Sequence, residues 1–99
     1  MSAEMRQITI VNRKGLHARA SAKLAKLALE LPALVTVSFE SESADARSIM
    51  DLLCLGAGIG DTVELSAEGD GAGSALDAVE ALFVDGFGEL AEDATCACK

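Results

Sequence analysis

The hydrophobic pattern of this chain changes period repeatedly, and each change comes after only a few residues. Ile8 and Ile10 alternate with Thr9 and Val11, so Arg6–Val11 reads as a half-buried strand. After the loop residues Asn12-Arg-Lys-Gly15, the spacing becomes helical from Ala18. Leu24, Leu27, Ala28 and Leu31 form one stripe, with Lys23, Lys26 and Glu30 opposite. Pro32, the only proline, stops that helix. Val35, Val37 and Phe39 then alternate with Thr36, Ser38 and Glu40 in a second strand, and Ser41–Ala46 reads as a turn with a short edge strand. Ser48 and Asp51 have the spacing of a capping box before a short apolar helix to Leu55, with Gly56 as its C-cap. Thr62–Glu68 alternates again, and Gly69–Gly73 is a turn. Ser74 and Asp77 form a second capping box, which is expected to open a last helix carrying Leu76, Val79, Leu82 and Phe83 on one side.

The order is therefore β-α-β-β-α-β-α. Its connections are short for parallel crossovers, so the expected fold is α+β: an open-faced two-layer sandwich, a four-stranded antiparallel sheet with three helices on one face. Ninety-nine residues make one domain, 1–99, with a core over about 5–90 and a flexible tail over 91–99. The chain is 51% hydrophobic with three aromatic residues, all Phe, so its interior must be aliphatic. No apolar run reaches the roughly 18 residues a membrane helix needs, and the N-terminus lacks the apolar core of a signal peptide. The expectation is a cytoplasmic monomer with no membrane insertion.

A formal charge of −8 makes a nucleic-acid partner a poor fit, because phosphate backbones require a basic field. The charge is nevertheless uneven. Six of the eight basic residues are Arg6, Arg13, Lys14, Arg19, Lys23 and Lys26, no acid occurs from Met5 to Leu29, and the single histidine, His17, sits inside that stretch. The cysteines are Cys54, Cys96 and Cys98, an odd number that argues against a closed disulfide framework. Cys54 reads as a small buried hydrophobe, and Cys96-Ala-Cys98 as part of the idle tail. No metal site is expected, since there is no second histidine and the charges near His17 are positive. The glycine runs Gly56–Gly60 and Gly69–Gly73 lack the Lys-Ser/Thr pair of a phosphate loop and read as turns.

His17 falls where the first helix begins. The first turn of a helix offers unpaired backbone N–H groups and the positive end of the dipole, so an anion placed there gains hydrogen bonds and a favourable field. Arg19 adds a guanidinium suited to phosphate oxygens. A neutral imidazole is a competent nucleophile near pH 7, so the pair can serve phosphoryl chemistry. The same residues also suit a histidine that only caps the helix. In the short helix, Ile49, Met50, Leu52, Leu53, Cys54 and Leu55 are apolar nearly all round. Either all are buried, or Ile49, Met50 and Leu53 form an exposed patch that, with the Lys23 and Lys26 rim, would dock an acidic partner.

Asn12-Arg-Lys-Gly-Leu-His-Ala-Arg19 resembles the active-site signature of the HPr family, the histidine-containing phosphocarriers of the sugar phosphotransferase system. Arg47-Ser-Ile-Met50 with Leu52-Leu-Cys-Leu-Gly56 resembles the second signature, at the family's usual separation, and the resemblance spans about Met5 to Leu90. It implies that His17 accepts phosphate through Nδ1 from phosphorylated enzyme I and passes it to enzyme IIA domains, with Arg19 assisting. By the same resemblance, Ser48 matches a regulatory serine phosphorylated by HPr kinase/phosphorylase in lineages that carry that enzyme, and Ile49 and Leu53 match partner-contact positions. No cofactor is implied, and the product is a carrier rather than a stand-alone turnover enzyme. Two residues depart from the pattern. Ala20 stands where the family commonly has proline, and Asp51 where it often has glycine, which puts a carboxylate beside Ser48. A nitrogen-branch regulatory carrier similar to NPr, or an interaction module without transfer activity, are the competing readings.

Overall fold

The computed structural model describes residues 3–88. Four strands, β1 (Ala3–Thr9), β2 (Leu34–Phe39), β3 (Glu42–Asp45) and β4 (Thr62–Glu68), and three helices, α1 (Ala18–Glu30), α2 (Ile49–Leu55) and α3 (Ala72–Val84), follow in the order β-α-β-β-α-β-α. A 3-10 turn at Gly86–Gly88 follows and closes the described residues. The strands form one antiparallel sheet in the order β1-β4-β2-β3.

Alternation along each strand decides which face is covered. Val35, Val37, Ala44, Val63, Leu65 and Ala67 are buried together with Leu24 and Ala28 of α1, Leu52 and Leu55 of α2, and Leu76, Val79 and Phe83 of α3. Phe83 meets Phe87 edge-on at 4.8 Å between ring centroids, a favoured aromatic geometry. The opposite face carries hydroxyl pairs across neighbouring strands: Thr9 with Thr62 at 3.1 Å and Ser38 with Ser43 at 3.2 Å. Arg6, on β1, spans to α3, where its guanidinium pairs with Asp77 and, at 2.9 Å, with Glu80.

Three expectations are corrected. β1 begins at Ala3, ahead of Arg6, because it pairs with β4 along its whole length, from Ala3 opposite Glu68 to Thr9 opposite Thr62. α3 does not open at Ser74. It begins at Ala72 behind Gly71, whose φ of 78° places it in the left-handed region, and no side chain caps it. Burial of Ala72 and Ala75 against the core draws the helix back into the glycine-rich turn, and Ser74 is left exposed in its first turn. Cys54 is exposed rather than buried. Leu52 and Leu55 take the inward positions of α2, and Cys54 falls between them on the helix surface. The tail 91–99, with Cys96 and Cys98, lies outside the described residues.

Candidate functional site

The loop before α1 is held by a contact distant in sequence. Gly15 has a φ of +63°, and a Cβ built there would lie 2.6 Å from both the Ala57 carbonyl oxygen and the Gly58 Cα. The backbone of 12–16 therefore lies against the backbone of 57–58, closer than any side chain permits. Leu16 N–H donates to the Ala57 carbonyl at 3.1 Å, and Gly15 N–H donates to the Asn12 carbonyl at 3.2 Å. The facing loop is fixed in turn. Gly58 N–H donates to the Asp61 carboxylate at 2.9 Å, and Ile10 exchanges backbone hydrogen bonds with Gly60 and Asp61.

His17 is the N-cap of α1, with extended backbone (φ −80°, ψ −177°), and its Nδ1 accepts from the Arg19 N–H at 3.3 Å. A neutral imidazole that accepts at Nδ1 carries its proton on Nε2. The first hydrogen bond of the helix runs from Ser21 N–H to the His17 carbonyl, 2.9 Å. The amides of Ala18, Arg19 and Ala20 thus precede any intrahelical acceptor, as a helix start requires. His17 is half-buried, while Arg13, Lys14 and Arg19 are exposed around it. The site is a shallow electropositive tip: one nitrogen lone pair beside first-turn amides, open to a large partner.

α2 packs beside α1. Its N-cap Ser48 accepts from Asp51 N–H at 3.2 Å, and Gly56 closes it in the left-handed conformation, φ 67°, where its missing Cβ carries no penalty. Leu52 and Leu55 are buried, Leu53 is half-buried, and Ile49 and Met50 are exposed at 40% and 68%. The helix therefore buries one side and presents the other. Arg47, just before Ser48, grips the Asp45 carboxylate through Nη2 at 2.9 Å and Nε at 3.1 Å. These bonds hold the Asp45 carboxyl below its ordinary range. Lys26 is exposed on α1, whereas the Lys23 ammonium donates to the Phe87 carbonyl at 2.6 Å. Lys23 thus ties α1 to the turn that follows α3. Among the described residues no group of three or more His, Cys, Asp and Glu side chains is arranged to hold a metal ion.

A family model for the PTS HPr component phosphorylation site matches residues 5–85, from within β1 to beyond the end of α3. The chain belongs to the HPr family. Phosphocarrier protein HPr of Cupriavidus necator is 48% identical over 84 residues, covering 85% of this chain and 94% of that protein. Phosphocarrier protein NPr of Shewanella violacea is 46% identical over the same length, covering 85% of this chain and 92% of that one. In three dimensions the chain is similar to HPr-C-His from Thermoanaerobacter tengcongensis, with a TM-score of 0.83 and 36% identity over 87% of this chain and 97% of the other. As an HPr-family phosphocarrier, the chain stands about equally near relatives named HPr and NPr.

Within this HPr-family site, sequence reading reached the residues of the two local motifs and missed the third segment, Ala57–Gly58. That segment was legible only as a turn after α2. No local signal shows that it packs on Gly15, because more than 40 residues separate the two. The burial of Asn12 and of Ser21 was missed as well. Each is a polar residue in a loop or helix pattern that gives no sign of burial.

Proposed function

We propose that the chain carries a phosphoryl group on Nδ1 of His17, received from phosphorylated enzyme I and passed to enzyme IIA domains of the sugar phosphotransferase system. One observation carries this reading. The Nδ1 lone pair lies at the start of α1 and already accepts from the Arg19 amide. In the forward step that lone pair forms the new N–P bond. The N–P bond of the donor histidine breaks, and its electron pair returns to the donor ring. The Arg19 N–H passes from Nδ1 to a phosphoryl oxygen, so the donor that oriented the ring then serves the anion. While Nε2 keeps its proton, the phosphorylated ring is cationic and a good leaving group for the next transfer. The Arg19 guanidinium offsets charge on the moving group.

The protein supplies position and field rather than a pocket, and it uses no cofactor. A carrier must release what it binds, and a helix tip with one arginine holds phosphate only modestly. Exposed Ile49 and Met50 with half-buried Leu53 on α2, together with Lys23 and Lys26 on the neighbouring α1, are the surface on which enzyme I and the IIA domains would dock. Ser48 at the N-cap of α2 is the site at which HPr kinase/phosphorylase would add a regulatory charge to that surface. The protein works as a cytoplasmic monomer.

The 46% identity to an NPr supports a second reading, a regulatory carrier of the nitrogen branch served by its own enzyme I. Incubation with phosphoenolpyruvate and each type of enzyme I, side by side, tests both. We expect acid-labile phosphate on the intact chain and none on His17→Ala. The faster enzyme I assigns the branch. Phosphate retained in His17→Ala, or absent from the wild type with both enzymes, refutes the carrier reading.

A further inference from the structure

Asn12 and Ser21 are the only buried polar or charged residues among those described, and both are 0% exposed. Each hydrogen-bonds one of the two carbonyls directly before His17. Asn12 Nδ2 donates to the Gly15 carbonyl at 2.9 Å, and Ser21 Oγ donates to the Leu16 carbonyl at 3.2 Å. The serine bond is not the ordinary back-bond to the carbonyl four residues earlier. That acceptor, His17 O, takes the Ser21 N–H, and the hydroxyl reaches one residue further, out of the helix. Burying an amide and a hydroxyl is costly unless both are satisfied, and an alanine at position 21 would be the better helix former. The pair satisfies two carbonyls of the loop before α1, which offsets that cost locally. What the two side chains share is the segment they hold.

We propose that Asn12 and Ser21 are positioning residues for phosphoryl transfer at His17. The two bonds engage the Gly15 and Leu16 carbonyls inside the protein, and Leu16 N–H is fixed to Ala57 from the other side. The peptide entering His17 then has one orientation, and Nδ1 stays beside the first-turn amides. A loosened carbonyl would turn its negative end toward the incoming phosphoryl oxygens and let the ring leave the Arg19 N–H. This inference rests on the phosphocarrier reading for its catalytic consequence, and on the hydrogen-bond geometry alone for its effect on the ring.

The test compares wild type, Ser21→Ala, Asn12→Ala and Val79→Ala, the last a destabilised control on α3. Rapid-quench transfer from phosphorylated enzyme I and the ¹⁵N chemical shifts of the His17 ring are both recorded. Ser21→Ala removes only the hydroxyl and raises the helix preference of the site, so it folds even where Asn12→Ala does not. For Ser21→Ala we expect a transfer rate at saturation about five- to tenfold lower, with the half-saturating concentration of enzyme I changed less than about twofold. Its ring shifts should move away from the Nδ1-acceptor, Nε2–H tautomer. Val79→Ala should lose stability with rate and ring shifts unchanged. Wild-type rate and wild-type ring shifts in Ser21→Ala overturn the proposal. Should wild type take no phosphate, the carrier reading fails, while the ring shifts still decide whether the two side chains set the imidazole.

Discussion

Replacing Gly15 with alanine separates backbone strain from loop–loop contact, because Gly56 provides a matched control. The two glycines have nearly the same φ, +63° and +67°. An alanine in the left-handed region costs about 1–2 kcal/mol, partly offset by about 0.4–1 kcal/mol of lost freedom in the unfolded chain. Gly56→Ala should show that net cost alone, about 1 kcal/mol, since a Cβ there meets nothing within 4 Å. At Gly15 the same Cβ lies 2.6 Å from two backbone atoms, neither of which can rotate aside as a side chain would. Overpacking of this kind adds about 1–3 kcal/mol, which gives about 2–4 kcal/mol in total. For a domain of this size that corresponds to a fall in Tm of about 10–25 °C, against about 5 °C for Gly56→Ala. Thermal and urea unfolding by circular dichroism measure both. Gly15→Ala should also slow phosphotransfer while still folded, because the loop bearing His17 must move away from Ala57–Gly58. Equal destabilisation of the two variants would refute the close approach, and an unchanged transfer rate would refute its connection to His17.

Arg19→Ala should fold normally, since the side chain is exposed, yet slow transfer about tenfold or more for want of a charge-assisted contact; unchanged quench-flow rates would remove the guanidinium from the mechanism. Ser48→Ala should cost about 1 kcal/mol in urea unfolding through loss of the cap on Asp51 N–H. Ser48→Asp should keep that cap and instead weaken enzyme I binding in calorimetry, so equal affinity would count against α2 as a docking face. The Arg47 pair lowers the Asp45 carboxyl from its ordinary range. Its contribution is therefore complete above the unfolded pKa of about 3.9 and is lost as pH falls through the lower folded value. Asp45→Asn should cost no more than about 1 kcal/mol near neutrality, as expected of a surface pair, and its stability curve should meet that of wild type in acid. A constant gap down to pH 2 would show that the ion pair is not its source.

Much of the fold was readable because it depends on neighbours in sequence. Period-two alternation places Val35 and Val37, or Val63 and Leu65, on one side of a strand whatever lies across from it. Ser48 and Gly56 bound α2 through bonds within their own turn. His17 at the head of α1 was visible for the same reason, since a helix start is a local event. The element order with short connections then left few ways to cover the apolar side of the sheet.

Reading failed where a distant contact outweighed a local preference. Ser74 and Asp77 have the spacing of a cap, but burial of Ala72 and Ala75 starts α3 earlier. Cys54 lies in an apolar run, but only one side of α2 fits the core. The residues set out in the chain determined a sheet, three helices and an imidazole at a helical tip. Tertiary structure alone decided that Ala57–Gly58 would press on Gly15 and that Asn12 and Ser21 would be sealed beneath His17. Close approach between backbones, and burial of a polar group, depend on what arrives from elsewhere in the chain, and no local pattern records it.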